Sequence, residues 1–160
     1  MKADFSELSS DSKIWIYQSD RFFTTEEAAF AEKKLADFVQ NWKSHGQPVK
    51  AAGNILHNLF IVLAADESES PSGCSIDSSV HFLKELEQEL NINLFNRSAL
   101  ALFTDGNISF VSLNKIKEAI SQGTITKETL FFDNLVKNLS SFRNEWLVPF
   151  KSSWTARYFA

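Results

Sequence analysis

The sequence predicts an α+β fold, and three observations carry that expectation. The segments read in the order strand, helix, strand, strand, helix, strand, which is the order of a split βαβ unit. Residues 59–65 are apolar throughout, as a strand covered on both faces requires. Asp105-Gly106 stands between two strand-like runs, the pattern of a two-residue hairpin whose turn needs left-handed backbone.

The elements follow in order. Lys13-Ile14-Trp15-Ile16-Tyr17 is short and rich in β-branched and aromatic residues, which suits a first strand. Thr24 and Glu27 have the spacing of a capping box. Behind them Ala28, Ala31, Leu35, Phe38, Val39 and Trp42 recur at intervals of three and four, predicting a helix over 25–43. His45, Gly46 and Pro48 then offer a cation near the last turn, a glycine just past it and a breaker. Residues 49–65 read as two strands with a turn somewhere in 53–58. The acidic, serine-rich stretch 66–72 contains Pro71 and reads as an exposed loop. A second helix is expected over 75–90, with Ile76, Val80, Leu83, Leu86 and Leu90 inward and Glu85, Glu87 and Glu89 in water. Strands 99–104 and 107–111 flank the Asp105-Gly106 turn, a short helix over 113–121 ends at Gly123, and 129–132 suits a further strand. The tail reads as helical over 134–146, with Pro149 interrupting it.

The first six elements have the order of a ferredoxin-like split βαβ sheet. The hairpin would then add a fifth strand beside the fourth. The expectation is one domain over 1–160, with a core over about 13–112 and a helical C-terminal extension over about 113–160.

Composition narrows the function classes. With 44% apolar and 22% charged residues, the chain is of the globular kind and not of the disordered kind. Sixteen basic residues against twenty acidic ones leave a net charge of −4, which argues against a phosphate-binding face for nucleic acid. The single cysteine excludes an intrachain disulfide and any cysteine-based metal cage. The three histidines are too scattered for a metal-ligand motif, so neither a metal nor a cofactor is expected. No apolar run has the length of a membrane span, and the opening residues lack the apolar stretch of a signal peptide, which suggests a cytoplasmic domain.

Several stretches carry a family resemblance: Trp15-Ile16-Tyr17-Gln18 with Asp20-Arg21, Trp42 with His45-Gly46, and Lys50-Ala51. Ser72-Gly73-Cys74-Ser75-Ile76-Asp77, Gly123-Thr124-Ile125-Thr126, Asn134-Leu135-Val136 and Ser153-Trp154 extend it over nearly the whole chain. In these the chain resembles a family of small uncharacterised proteins of Bacteroidetes-type bacteria, sometimes labelled ABC-transporter ATPases. The resemblance implies a cytoplasmic bacterial origin and carries over no functional residues. The residues oppose the ATPase label. A P-loop needs paired glycines followed by Lys and Ser or Thr, and none of Gly46, Gly53, Gly73, Gly106 and Gly123 precedes a lysine.

Cys74 is the residue with nucleophilic promise. It follows Gly73 at the start of the second predicted helix, where free N–H groups favour a thiolate. The plain alternative is a small inert thiol. Asp77 and His81 lie three and seven residues on, but a triad needs the carboxylate behind the imidazole rather than between it and the thiol. The expected topology brings His45 to the same end of the sheet as Cys74 and sends His57 to the other end. His45 is therefore the candidate base, with Asp77 beside the thiol. Asp20 and Arg21 precede the first helix and could hold an anion, or could form a surface ion pair. Together with Ser72, Gly73 and Ser75 they are the candidate ligand-binding residues. Trp146, Trp154, Tyr158 and Phe159, with Arg143 and Arg157 beside them, suit either a recognition surface or a tail packed back onto a sheet. The favoured function is a non-catalytic domain that binds a partner protein or a small ligand. The alternative is a thiol-dependent enzyme using Cys74 and His45.

Overall fold

The computed structural model describes residues 1–66 and 73–160, and for 73–75 the backbone alone. Strand β1 (Lys13–Gln18) leads to helix α1 (Thr25–Asn41). The capping box is closed in both directions: Glu27 N donates to Thr24 Oγ1 at 3.1 Å, and Thr24 N donates to Glu27 Oε1 at 2.9 Å. The helix buries Ala28, Ala31, Leu35 and Val39, the inner part of the apolar stripe.

The end of α1 differs from expectation. Trp42 is already extended, and β2 (Lys43–Ser44) pairs with β3 (Gln47–Pro48) in a small hairpin. His45 (φ 51°) and Gly46 (φ 79°) are its turn, both left-handed. The residues read as a helix C-cap thus make a hairpin, because two successive left-handed positions reverse the chain between paired strands.

Strands β4 (Ala51–Leu56) and β5 (Phe60–Ala65) follow, joined through left-handed His57 and Asn58. Every residue of β5 is buried, as its unbroken apolar run requires. Helix α2 (Gly73–Leu90) buries Leu83 and Leu86. Glu87 is half-buried rather than in water, because its carboxylate accepts from Leu94 N at 2.6 Å. Strands β6 (Ala99–Thr104) and β7 (Asn107–Ser112) form the predicted hairpin, turning on Asp105 (φ 52°) and Gly106 (φ 80°). Helix α3 (Ile116–Ser121), strand β8 (Leu130–Phe132), helix α4 (Leu139–Glu145) and strand β9 (Leu147–Pro149) complete the regular elements. Two 3₁₀ segments, Phe150–Ser152 and Trp154–Phe159, end the chain.

The strands form two larger antiparallel sheets beside the small hairpin. One has the order β1-β5-β4, so the first and third long strands are neighbours, with Tyr17 opposite Ile61. The other has the order β7-β6-β8-β9. The expected five-stranded ferredoxin-like sheet is thereby corrected: β6 does not join β1. Residues 137–139 occupy part of that edge instead, with Ile14 N donating to Lys137 O and Leu139 N donating to Ser12 O. Strand β6 has apolar residues on both faces and finds cover by starting a sheet of its own. The C-terminal extension is corrected too. It contributes β8 and β9, and its helix begins only at Leu139, where Asn138 caps it by accepting from Ser141 N.

The layers are helices, sheet, sheet, short helices. Tyr17, Ile61 and Leu63 pack the first sheet against α1 and α2. Ile14, Ile16, Phe60, Ala101 and Phe132 fill the space between the sheets. Phe131, Val148 and Phe150 face the outer layer of Ile116, Trp154 and Tyr158.

Candidate functional site

Alternation along β1 positions the site. Even-numbered residues of this strand direct their backbone groups away from β5, as Ile14 shows by donating to Lys137 O at 3.0 Å. At the other end of the strand Gln18 Nε2 donates to Ala99 O at 3.4 Å, and Gln18 Oε1 accepts from Asn134 Nδ2 at 3.0 Å. Between these two ties the neighbouring chain bows outward. Asp133 Oδ1 accepts from Leu135 N at 3.1 Å, an Asx turn, and Asn134 Oδ1 accepts from Trp146 Nε1 at 3.0 Å. The bow leaves Ile16 facing a cavity of about 580 Å³ along the strand edge, walled by Tyr17, Arg97, Leu135 and Lys137. Burial pushes the Tyr17 phenol above its ordinary range, and the nearby Arg97 charge opposes that rise.

A second cavity of about 360 Å³ opens on the outer face of the second sheet, where its β6–β8 end meets the edge of β1, and shares Ile16, Arg97, Asn134 and Leu135 with the first. Its walls are chiefly apolar, with Leu100, Leu113, Phe131 and Trp154 prominent. Its one acid, Asp133, is already engaged: Oδ2 accepts from Ser153 Oγ at 2.5 Å. Arg97 and Arg157 both line it, and neither has a carboxylate within ion-pair distance among the described residues. Arg157 lies over the Trp154 ring at 5.2 Å and the Tyr158 ring at 5.3 Å, contacts that leave its charge uncompensated. Trp154 Nε1 is the one buried side-chain nitrogen or oxygen without a partner among the described residues. Leu135, at the mouth, is 53% exposed, the highest value among the exposed large apolar residues.

Of the candidate site residues read from the sequence, only Trp154 and Arg157 line these cavities; Ile16, Tyr17, Gln18, Asn134 and Leu135 line them from segments of the family resemblance. Ser72 lies outside the described residues, and of Gly73, Cys74 and Ser75 only the backbone is described. Asp77 is exposed on α2, and His81 pairs with Glu85 at 3.1 Å on the same exposed surface. His45 sits on the β2–β3 turn, and α2 packs against β2. His57 sits at the opposite turn against Phe132 and Trp146, with ring centroids 5.3 and 6.0 Å away. Asp20 and Arg21 are turned to the protein itself. Asp20 Oδ1 accepts from Asn93 N at 2.9 Å. Arg21 grips Glu27 in two bonds of 2.8 Å and also donates to Leu90 O at 2.7 Å. Those bonds, with the Thr24 backbone donor, hold the Glu27 carboxyl down at about 2. The guanidinium proposed for an anion thus closes the helix N-terminus instead.

Among the described residues, no helix is long and apolar enough to cross a membrane. No three His, Cys, Asp or Glu side chains among them gather where they could hold a metal ion. No protein-family model, curated protein or solved structure is significantly similar to the chain. Sequence reasoning missed Arg97 altogether and took Asn134 only as part of a family-resemblance segment, with no role. Neither belongs to a periodic stripe, and only the meeting of the two sheets gives them a common role.

Proposed function

We propose that the chain is a non-catalytic binding domain that takes a small, partly apolar ligand in the cleft where the outer face of its second sheet meets the edge of β1. One observation carries the reading: a largely apolar cavity of about 360 Å³ holds two guanidinium groups that no carboxylate of the described residues neutralises. That combination of size, apolar walls and a few charged groups is what ligand sites have in common. In a chain with four more acids than bases, carboxylates are plentiful, so two unpaired arginines at one cleft stand out. Recognition, rather than proton transfer, is the chemistry offered, because Asp133 is held by Ser153 and by the Leu135 N–H. The proposed Bacteroidetes-type kinship, carried by segments such as Ser153-Trp154, is compatible with this reading and adds no activity to it.

The test is a fragment titration followed by amide NMR, using small apolar acids with their neutral and cationic analogues. Acids should move the amides of Leu100, Phe131 and Leu135 in a saturable way. Binding that maps to other surfaces, or no movement of these amides at millimolar fragment, would overturn the proposal.

A further inference from the structure

We infer that the cleft takes a peptide-like carboxylate, with an amide unit against the edge of β1 at Ile16, an apolar side chain against the outer face of the second sheet and the carboxylate on Arg97. This rests on the cleft being a binding site and adds the class of ligand. Strand alternation points the Ile16 N–H and C=O away from β5, and neither has a backbone partner among the described residues. Ile14 on one side is paired with Lys137, and the Gln18 side chain on the other is tied to Asn134. The opening is therefore about one residue long. It suits a single amide unit, which brings one donor and one acceptor, and excludes an extended strand added along the whole edge.

The charge lies where that unit would end. Arg97 is the cation common to the edge cavity and the second cavity, so it stands at their junction, exposed and without a carboxylate. A guanidinium fork fits a carboxylate in two bonds, whereas it adds little to a neutral amide. Beside the same junction, Leu100, Leu113 and Phe131 wall the space that would receive the side chain, and exposed Leu135 would close over it. Arg157, stacked on Trp154 at the far wall, adds attraction for a negative ligand without touching the amide.

The experiment titrates the full chain with three probes: N-acetyl-leucyl-phenylalanine, its C-terminal carboxamide, and 3-phenylpropionate. The first should bind and shift the amides of Ile16, Arg97 and Leu100. The carboxamide lacks the charge and 3-phenylpropionate lacks the peptide unit, and each should bind at least ~10-fold more weakly. Arg97→Gln should reduce affinity for the acid to that for the carboxamide while leaving the carboxamide unchanged. Arg157→Gln should cost less. If the carboxamide matches the acid, the Arg97 assignment is overturned, and this comparison needs no variant to fold. If 3-phenylpropionate matches the acid, the pairing at Ile16 is overturned. If none of the three binds while fragments still move the cleft amides, this inference fails and the binding-site reading stands. If fragments fail as well, both fall.

Discussion

Gly53→Ala tests how tightly α1 lies on the first sheet. A Cβ at Gly53 would meet Leu35 Cγ at 2.8 Å and its two methyl carbons at 3.0 and 3.1 Å. Ordinary carbon contacts begin near 3.5 Å, so helix and strand would have to separate by about 0.5 Å or more. Leu35 has no freedom to yield, being 1% exposed and packed among Val39, Ile61 and Leu63. Overpacking of this kind costs ~1–3 kcal/mol. The backbone of Gly53 is not left-handed, so alanine also stiffens the unfolded chain, a gain of ~0.4–1 kcal/mol. The net expectation is a loss of ~0–2.6 kcal/mol, up to about 10 °C in Tm for a chain of this length. Calorimetry with urea unfolding measures it. Leu35→Ala alone should cost ~2–5 kcal/mol by opening a hole. In the double variant the new methyl enters that hole, so the pair should cost at least ~1 kcal/mol less than the sum. A stabilising Gly53→Ala, or strict additivity with Leu35→Ala, would refute the close approach.

Two further outcomes follow from backbone and charge. Gly106→Ala meets nothing within 4 Å, so its cost is the left-handed backbone alone, ~1–2 kcal/mol by urea unfolding; no measurable change would remove the strained turn from the account. Glu27 titrates near 2 in the fold against an ordinary 4.5, so its ionised form is the one the fold prefers. Its stabilisation is complete above 4.5 and is lost as pH falls toward 2. Glu27→Gln should therefore flatten the acid limb of the stability profile in that window, and an unchanged slope would argue against the Arg21–Glu27 grip.

Local chemistry was legible wherever one short segment settles its own structure. Thr24 and Glu27 close a reciprocal cap within four residues, and Asp105-Gly106 reverses the chain with two. Residues 60–65 declare a doubly covered strand by being apolar at every position. His45-Gly46 shows where local reading stops. The same two residues suit a helix C-cap or a hairpin turn, and what decides is whether Lys43 finds Pro48 opposite. Residues 134–138 show it again. Their composition suits a helix, but Asp133 captures the Leu135 N–H in a turn and Ile14 captures the Lys137 carbonyl, so the chain turns at 134–135 and then pairs with β1 at 137–139, where Asn138 starts α4.

That displacement of 134–138 explains why the candidate site was illegible while some of its residues were not. Trp154 and Arg157 stand out in the sequence as an aromatic–cation pair and stand together in the structure. Arg97 has no such neighbour in sequence; its role arises because β6, eighty-odd residues after β1, starts a second sheet instead of completing the first. Had β6 joined the edge of β1, its backbone would have paired with Ile16 and filled the edge cavity. The strand that leaves the expected sheet is thus what creates the cleft. The open amide at Ile16, the junction arginine and the apolar space beside them are three consequences of one topological choice, which no spacing within a single segment records.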